Sequence, residues 1–192
     1  MFPLDFQLIS LSELARSASH VAALVRFHGA LGAPEGDEIV LTPVWQSSRW
    51  GKMLVSTGHV KEVFVALARD TPEDISVVTY IEIRSIGLGL RAGYCIGGPL
   101  LRPSGTRDSS ILQEFLRRLR AHRDLADCVF IQFEPLIQSS DLSGLGLVPL
   151  SPHARYLLES TTRLIDLSQS EIEILAGMRQ KGRYNIRIAE KS

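Results

Sequence analysis

The stretch that decides the fold is AGYCIGGPLLRPSGTRDSSILQEFLRRLRAHRDLADCVFIQF, residues 92–133. It opens with a strand-like segment at residues 92–96, which a Gly-Gly-Pro break ends. From residue 111 to about residue 123, apolar side chains recur at helical spacing with arginines on the remaining sides, which predicts an amphipathic helix. The apolar run CVFIQF at residues 128–133 predicts a buried strand. A strand, a helix and a second strand at this spacing form a crossover unit, so the two strands are predicted to be parallel.

Two further strand-like segments precede this unit. VKEVFVALAR at residues 60–69 and ISVVTYIEIR at residues 75–84 are rich in β-branched and aromatic residues, and DTPED between them supplies a turn. They predict an antiparallel pair. Together with the crossover unit they predict an α/β domain built on one mixed sheet.

The N-terminal segment predicts a helix followed by a loop. Apolar residues recur at helical spacing from residue 11 to residue 31, after Ser10 or Ser12 as a possible cap. GALGAPEGDE at residues 29–38 predicts a loop, and IVLTPV at residues 39–44 predicts a strand or an extended entry into the domain. We therefore assign residues 1–38 to a helix and loop packed on the core and residues 39–192 to the main domain.

The C-terminal segment predicts one strand and two helical stretches. The strand is TTRLIDLS at residues 161–168. Ser168 and Glu171 have the spacing of a capping box, which predicts a helix from about Gln169. Gly177 and Gly182 interrupt this helix before a second helical stretch, GRYNIRIAEK.

The composition is that of a water-soluble globular protein with one domain. Of the 192 residues, 45% are hydrophobic and 22% charged, and 21 Lys and Arg balance 21 Asp and Glu. These values exclude fibrous and disordered classes, and a net charge of zero argues against a surface devoted to nucleic acid or anionic lipid. Cys95 and Cys128 both lie in apolar runs and are predicted to be buried thiols. The N-terminus lacks a signal-peptide pattern and no apolar run reaches about 20 residues, so a cytoplasmic location is predicted.

Two chemical motifs receive little support from their surroundings. Arg84-Ser-Ile-Gly87-Leu-Gly89 matches the phosphate loop of acyl-CoA N-acetyltransferases, but that loop needs a helix directly after the strand, and the following residues predict another strand. The five histidines show no pair at metal-ligand spacing, so no metal site is predicted. Single carboxylates such as Asp108 and Glu134 are possible general bases but are more often caps.

Basic residues crowd the C-terminus and predict an anion site. Five basic residues face Glu190 alone between residues 179 and 191: Arg179, Lys181, Arg183, Arg187 and Lys191. Arg183 and Arg187 are four residues apart, so on a helix they share one face and can grip a phosphate or carboxylate. The alternative is a solvated basic helix end that complements the helix dipole.

Several short segments, taken in order, resemble one known family. They are Gln46-Ser47-x-x-Trp50-Gly51-Lys52, Tyr94-x-x-x-Gly98-Pro99, Phe130-Ile131-x-x-Glu134-Pro135 with Gly146, Thr161-Thr162-x-x-Ile165-Asp166-Leu167-Ser168, and Met178-Arg179-x-Lys181-x-Arg183-Tyr184-Asn185-Ile186-Arg187-x-Ala189-Glu190-Lys191. In this order they resemble the first domain of the FemABX family, peptidyltransferases that add amino acids from aminoacyl-tRNA to peptidoglycan precursors. The resemblance covers roughly residues 39–192.

The resemblance implies a GNAT-like fold, that of the acyl-CoA N-acyltransferases, and a role in cell-wall bridge synthesis. It implies that a UDP- or lipid-linked muramyl pentapeptide is the acceptor and that aminoacyl-tRNA is the co-substrate, with no other cofactor. It places five residues at the acceptor: Lys52, Tyr94, Lys181, Arg183 and Arg187. No catalytic residue is identified. A lipid-linked acceptor would place the protein at the inner face of the membrane.

Two departures from the family pattern bear on activity. Gly97 stands before Gly98-Pro99 where the family usually has an arginine, and no acid follows until Asp108. The family also continues into a second domain, which is not present in these 192 residues. We therefore expect the isolated chain to transfer no amino acid.

Two alternatives stay open. One is a stand-alone GNAT-type N-acyltransferase that uses acyl-CoA, with residues 84–89 as its phosphate loop. The other is a non-catalytic binding module that dimerises through the edge where a second domain would pack.

Overall fold

The computed structural model describes residues 4–31, 43–69, 71, 74–102, 109–136, 144–151, 157–158 and 165–191, which fall into two compact units, Met1–Leu158 and Glu159–Ser192. The first unit holds all six strands: β1 (Asp5–Ser10), β2 (Glu62–Arg69), β3 (Val77–Gly87), β4 (Leu90–Gly97), β5 (Leu100–Leu101) and β6 (Cys128–Pro135). Its helices are α1 (Leu11–Arg16), α2 (Ala18–Leu31), α3 (Ser48–Ser56) and α4 (Ser109–Arg120), with 3₁₀ turns at Val44–Gln46 and Arg123–Leu125. The second unit holds α5 (Glu171–Ala176) and α6 (Gln180–Ala189).

The strands form one mixed sheet in the order β1-β2-β3-β4-β6, and β5 pairs with β3 at one end. The pairs from β1 to β4 are antiparallel, whereas β6 is parallel to β4. Helix α4 makes the connection that a parallel pair requires. The predicted α/β class, the antiparallel pair and the crossover unit are therefore confirmed.

Two hydrophobic clusters cover the two faces of the sheet. The first contains Leu14, Leu24 and Phe27 and draws its residues from α1, α2 and α3 together with β2 and β3. The second contains Phe115 and Leu119 of α4 against the opposite side of the same strands. Because helices cover both faces, six consecutive residues of β2 are buried, as its nearly continuous apolar sequence requires.

The N-terminal segment contributes an edge strand that the sequence analysis did not predict. Residues of β1 pair with β2 from Asp5 to Ser10. The strand is short and has a charged and an amide side chain among its apolar ones, so its alternation is weak. The predicted helix is present but is broken at Ser17, and Ser10 forms the capping box of α1 with Glu13. The N-terminal residues are thus part of the sheet as well as of its helical cover.

Three predicted element boundaries differ from the structure. Residues 39–42 of one predicted strand lie outside the described part, and Val44 belongs to a 3₁₀ turn. Residues 161–164 of another also lie outside it, and residues 165–168 form no strand, with a turn at 167–168. The capping box is made by Ser170 and Glu173 rather than by Ser168 and Glu171. The reason is that the Ser168 amide and hydroxyl both donate to Asp166 Oδ1, at 2.9 and 2.7 Å, a local bond that competes with helix formation.

No helix in the described part of the chain is long and apolar enough to cross a bilayer.

Candidate functional site

Polar side chains of three neighbouring strands meet on one face of the sheet. Glu82 of β3 lies opposite Tyr94 of β4, and Tyr94 lies opposite Gln132 of β6. Alternate residues of a strand point to the same side, so Arg84 and Glu134 lie on this face as well. We call these five residues the polar face.

Glu82 is the buried centre of the polar face. Its side chain is only 4% exposed, although it is a carboxyl group with Ile81 and Ile83 as its neighbours in the strand. Two donors hold it: the Trp50 indole Nε1 lies 3.1 Å from Oε1, and Arg84 Nη2 lies 2.5 Å from Oε2. A buried carboxylate is expensive unless it is paired and hydrogen-bonded, and both conditions are met here.

Arg84 and Tyr94 form the accessible part of the polar face. The guanidinium carbon of Arg84 lies 4.9 Å from the centre of the Tyr94 ring, within the range of a cation–π contact. The other contact of the Tyr94 ring is an edge-on packing against Phe130 at 5.7 Å between ring centres. Tyr94 is half-buried, and no hydrogen bond to its hydroxyl involves another described residue. The Tyr94 hydroxyl can therefore meet a ligand.

Glu134 serves as an anchor for the backbone rather than as a free carboxylate. Its oxygens accept hydrogen bonds from the Leu157 amide at 2.9 Å and the Leu158 amide at 2.6 Å. A third donor, Gln132 Nε2, lies 2.5 Å from Oε1. Because these donors occupy its oxygens, Glu134 is not a free carboxylate that could act as a general base.

Gln46 positions the helix that carries Trp50. The Gln46 side chain is buried, accepts from the Tyr80 amide at 2.8 Å and donates to the Ile96 carbonyl at 2.8 Å. Gly98 packs so closely that a Cβ atom there would lie 2.6 Å from Gln46 Oε1. Two segments of the quoted resemblance, one around Gln46 and one at Gly98, are thus in direct contact.

The five predicted site residues are divided between the two units. Tyr94 belongs to the polar face, whereas Lys52 is an exposed residue of α3, two positions beyond Trp50. Lys181, Arg183 and Arg187 all lie on α6. Lys181 and Arg187 are exposed.

Arg183 has a structural task of its own. Its Nη1 donates to the carbonyls of Leu175 and Ala176 at 3.4 Å each, and also to the carbonyl of Met178. These carbonyls lie at the end of α5 and just after it, where a cation is stabilising. The predicted forked pair with Arg187 therefore starts from an arginine whose Nη1 is already engaged.

The Arg84–Gly89 motif forms a hairpin turn between β3 and β4. Gly87, Leu88 and Gly89 have positive φ angles of 96, 52 and 75°, and β4 follows directly. A phosphate loop needs the free amides at the start of a helix, and none follows here. Residues 84–89 are therefore not the phosphate loop that the acyl-CoA alternative assigned to them, and Arg84 pairs with Glu82 instead.

The cysteines are not activated nucleophiles. Burial raises the pKa of Cys95 to about 12 and also raises the pKa of Cys128. Because the thiolate is the reactive form, neither thiol is poised to attack an acyl donor. Within the described ranges, no group of three or more His, Cys, Asp or Glu side chains is placed to hold a metal ion.

Glu82 and Trp50 were not predicted as site residues, and Arg84 was considered only as part of a phosphate loop. A signal was available for Glu82, since a charged residue inside the apolar run VVTYIEIR must find a partner when that strand is buried. The identity of the partners depends on strand register and on the placement of α3, which the sequence pattern does not contain.

Comparison with known proteins yields fold relatives only. No family model matches the chain, and no curated protein matches it. A ribosomal-protein-alanine N-acetyltransferase from Brucella melitensis is 12% identical with a TM-score of 0.48, over 82% of this chain and 99% of that one. A glucosamine-6-phosphate N-acetyltransferase from Arabidopsis thaliana is 12% identical with a TM-score of 0.46, over 81% and 99%. An aminoglycoside acetyltransferase from an uncultured soil metagenomic sample is 13% identical with a TM-score of 0.48, over 82% and 100%.

The predicted mixed α/β sheet is present in the described part of the chain, with β6 parallel to β4 and the pairs from β1 to β4 antiparallel. At the similarity of these structures the comparison says nothing of substrate or acyl donor. The resemblance to the FemABX family in particular stays a prediction.

Proposed function

We propose that this chain is a GNAT-type N-acyltransferase domain that transfers an acyl group to an amine on the polar face of its sheet. The observation that carries the proposal is the Tyr94 hydroxyl, which has no described hydrogen-bond partner and belongs to a ring that packs against Arg84, the partner of the buried Glu82 carboxylate. Acyl transfer needs donors for the developing oxyanion and a proton donor for the leaving group. This face offers both.

The proposed roles follow from the contacts. Glu82 is a positioning residue, since it holds the Arg84 guanidinium through Nε at 3.1 Å and Nη2 at 2.5 Å. Arg84, thus oriented, stabilises the negative charge on the acyl carbonyl oxygen. Tyr94 donates its proton to the leaving group and recovers one from the attacking nitrogen.

The ligand lies on the sheet rather than between strands. β4 and β6 stay paired as far as Gly97 and Pro135, so the strands leave no gap for an acyl chain. An acceptor on the polar face would contact Tyr94 and the exposed side of Arg84, which is about a third exposed at 34%.

A second candidate is aminoacyl transfer of the FemABX type, with a muramyl pentapeptide as acceptor and aminoacyl-tRNA as donor. One observation favours it: residues quoted for that resemblance surround the same face. Gln46 bonds to β3 and β4, Trp50 bonds to Glu82, and Tyr94 packs on Phe130. The two candidates share the acceptor face and differ in the acyl donor.

The experiment compares the two donors with the same protein. The full chain is incubated with acetyl-CoA and a panel of primary amines, and separately with charged tRNA and UDP-linked muramyl pentapeptide; amide products are identified by mass spectrometry. Product from acetyl-CoA supports the first candidate, and product from tRNA alone supports the second. Tyr94→Phe keeps the ring contacts and is expected to slow transfer by roughly 100-fold or more, whereas Tyr184→Phe, at an exposed tyrosine of α6, leaves the rate unchanged.

The proposal fails if neither donor yields an amide and calorimetry detects binding of neither coenzyme A nor the muramyl peptide. It also fails if Tyr94→Phe and Tyr184→Phe transfer at the same rate as the unmodified chain.

A further inference from the structure

A serine, a histidine and a glutamine are hydrogen-bonded in series at the opposite edge of the sheet. Ser17 Oγ lies 2.6 Å from His20 Nδ1, and His20 Nε2 lies 2.7 Å from Gln7 Oε1. Ser17 stands between α1 and α2, His20 lies in the first turn of α2, and Gln7 lies on the edge strand β1. All three side chains are half-buried. We call these residues the Ser17 cluster.

The bonds determine which nitrogen of His20 carries the proton. Gln7 Nε2 donates to Asp5 Oδ2 at 3.3 Å, which turns the Gln7 carbonyl oxygen toward His20. A carbonyl oxygen only accepts, so His20 Nε2 must be the protonated nitrogen. His20 Nδ1 then has a free lone pair, and the Ser17 hydroxyl donates to it. This is the tautomer that a general base requires.

This arrangement is that of an activated nucleophile. A serine hydroxyl within hydrogen-bond reach of a base, with the base oriented by a third group, is the pattern of nucleophilic catalysis. The backbone amides in the first turn of α2 follow Ser17 directly, and the first amides of a helix have no partner within the helix. These amides favour negative charge on an oxygen atom close to Ser17.

A helix cap explains only part of these contacts. The Ser17 carbonyl accepts from the Val21 amide at 3.1 Å, as expected of a residue that precedes a helix. Capping by the side chain uses an oxygen that accepts from the backbone. Here the Ser17 hydroxyl is hydrogen-bonded instead to His20 Nδ1. The other ring nitrogen, His20 Nε2, is hydrogen-bonded to Gln7 of β1.

We propose that Ser17 is a nucleophile that accepts an acyl group from small activated esters, with His20 as its general base and Gln7 as a positioning residue. Ser17 Oγ forms a bond to the acyl carbon while its proton passes to His20 Nδ1, and the ester oxygen leaves with the electron pair of the broken C–O bond and takes up that proton from His20. Water then attacks the acyl-serine and gives up a proton to His20, which passes it to Ser17 Oγ as the carboxylic acid is released and Ser17 is restored. Since β2 lies between β1 and β3, the first strand of the polar face, this site shares no residue with the polar face and does not depend on the function proposed for it.

The test uses p-nitrophenyl acetate and the full chain. We expect a burst of nitrophenolate, and peptide mapping that places one acetyl group on Ser17. Ser17→Ala abolishes the burst, and His20→Gln slows it at least about tenfold. Ser19→Ala is the matched control, because Ser19 Oγ lies 3.2 Å from Ser17 Oγ but is not hydrogen-bonded to the His20 ring; it leaves the burst unchanged.

Two further variants keep the test sound. Ser17→Asn retains a good helix cap without a hydroxyl, so loss of the burst in this folded chain is not caused by loss of α2. Gln7→Leu slows acylation several-fold, and Gln7→Glu, which still accepts from His20, restores it; a merely structural glutamine would not show this rescue. An acetyl group mapped to His20 or spread over several serines, or an equal burst from His20→Gln, overturns the proposal.

Discussion

Individual buried polar side chains determine how α3 is placed against the sheet. Gln46 satisfies the Tyr80 amide and the Ile96 carbonyl, which are buried between β3 and β4. A buried polar group that loses its partner costs about 1–3 kcal/mol. The same logic applies to Glu82, whose burial is tolerated because Trp50 and Arg84 pair with it. Glu82 is thus both a buried structural residue and a member of the polar face.

His28 is the residue through which acid should weaken the first unit. Both of its ring nitrogens are buried and have no hydrogen-bond partner, and this burial lowers its pKa from 6.5. Below pH 6.5 the unfolded chain therefore binds more protons than the folded chain, so stability falls as the pH falls. We expect the melting temperature of the unmodified chain to drop between about pH 7 and pH 5.

His28→Leu should reduce that drop, because it removes the group that must be charged on unfolding. Its control is His59→Gln, at an exposed histidine, which should leave the dependence as it is. The measurement is thermal unfolding followed by circular dichroism across this range. Equal slopes for His28→Leu and the unmodified chain would show that another group is responsible.

At the scale of elements, the strands were predictable and the C-terminal turn was not. β2, β3, β4 and β6 were found because apolar and β-branched runs are long enough to reveal a buried strand. β1 was missed because six residues with weak alternation give little signal. The strand predicted at residues 161–168 is not formed in its described part, residues 165–168. Asp166 accepts hydrogen bonds from the Ser168 amide and hydroxyl, which favours a turn there.

Arg183, which the sequence motif assigns to ligand binding, also connects two helices. Its contacts with the carbonyls of Leu175, Ala176 and Met178 join the end of α5 to α6. Arg183→Ala should therefore lower the helical signal in circular dichroism. Arg187→Ala, one turn along the same helix and exposed, should not. A loss of ligand binding in both variants with unchanged helicity would instead assign both arginines to the anion site.

At the scale of the whole molecule, the core is built without the second unit. The described members of both hydrophobic clusters lie between Leu4 and Leu147, whereas neither α5 nor α6 contains a buried residue. Hydrophobic patterning predicted this core, because the spacing of apolar residues along a helix or a strand shows which of its sides is buried. It did not predict the polar face, whose residues meet only through strand register.

A chain that ends after Leu158 should therefore keep its fold. We expect cooperative thermal unfolding with a midpoint within about 3 °C of that of the full chain, the shift that roughly 1 kcal/mol produces in a domain of this size. The Glu134 bonds to the Leu157 and Leu158 amides remain in it. Residues 159–192 alone should show little helix, because helices of 6 and 10 residues are marginal in water without tertiary packing. A truncated chain that melts more than about 10 °C lower, or is molten by near-UV circular dichroism, would mean that the C-terminal residues stabilise the core after all.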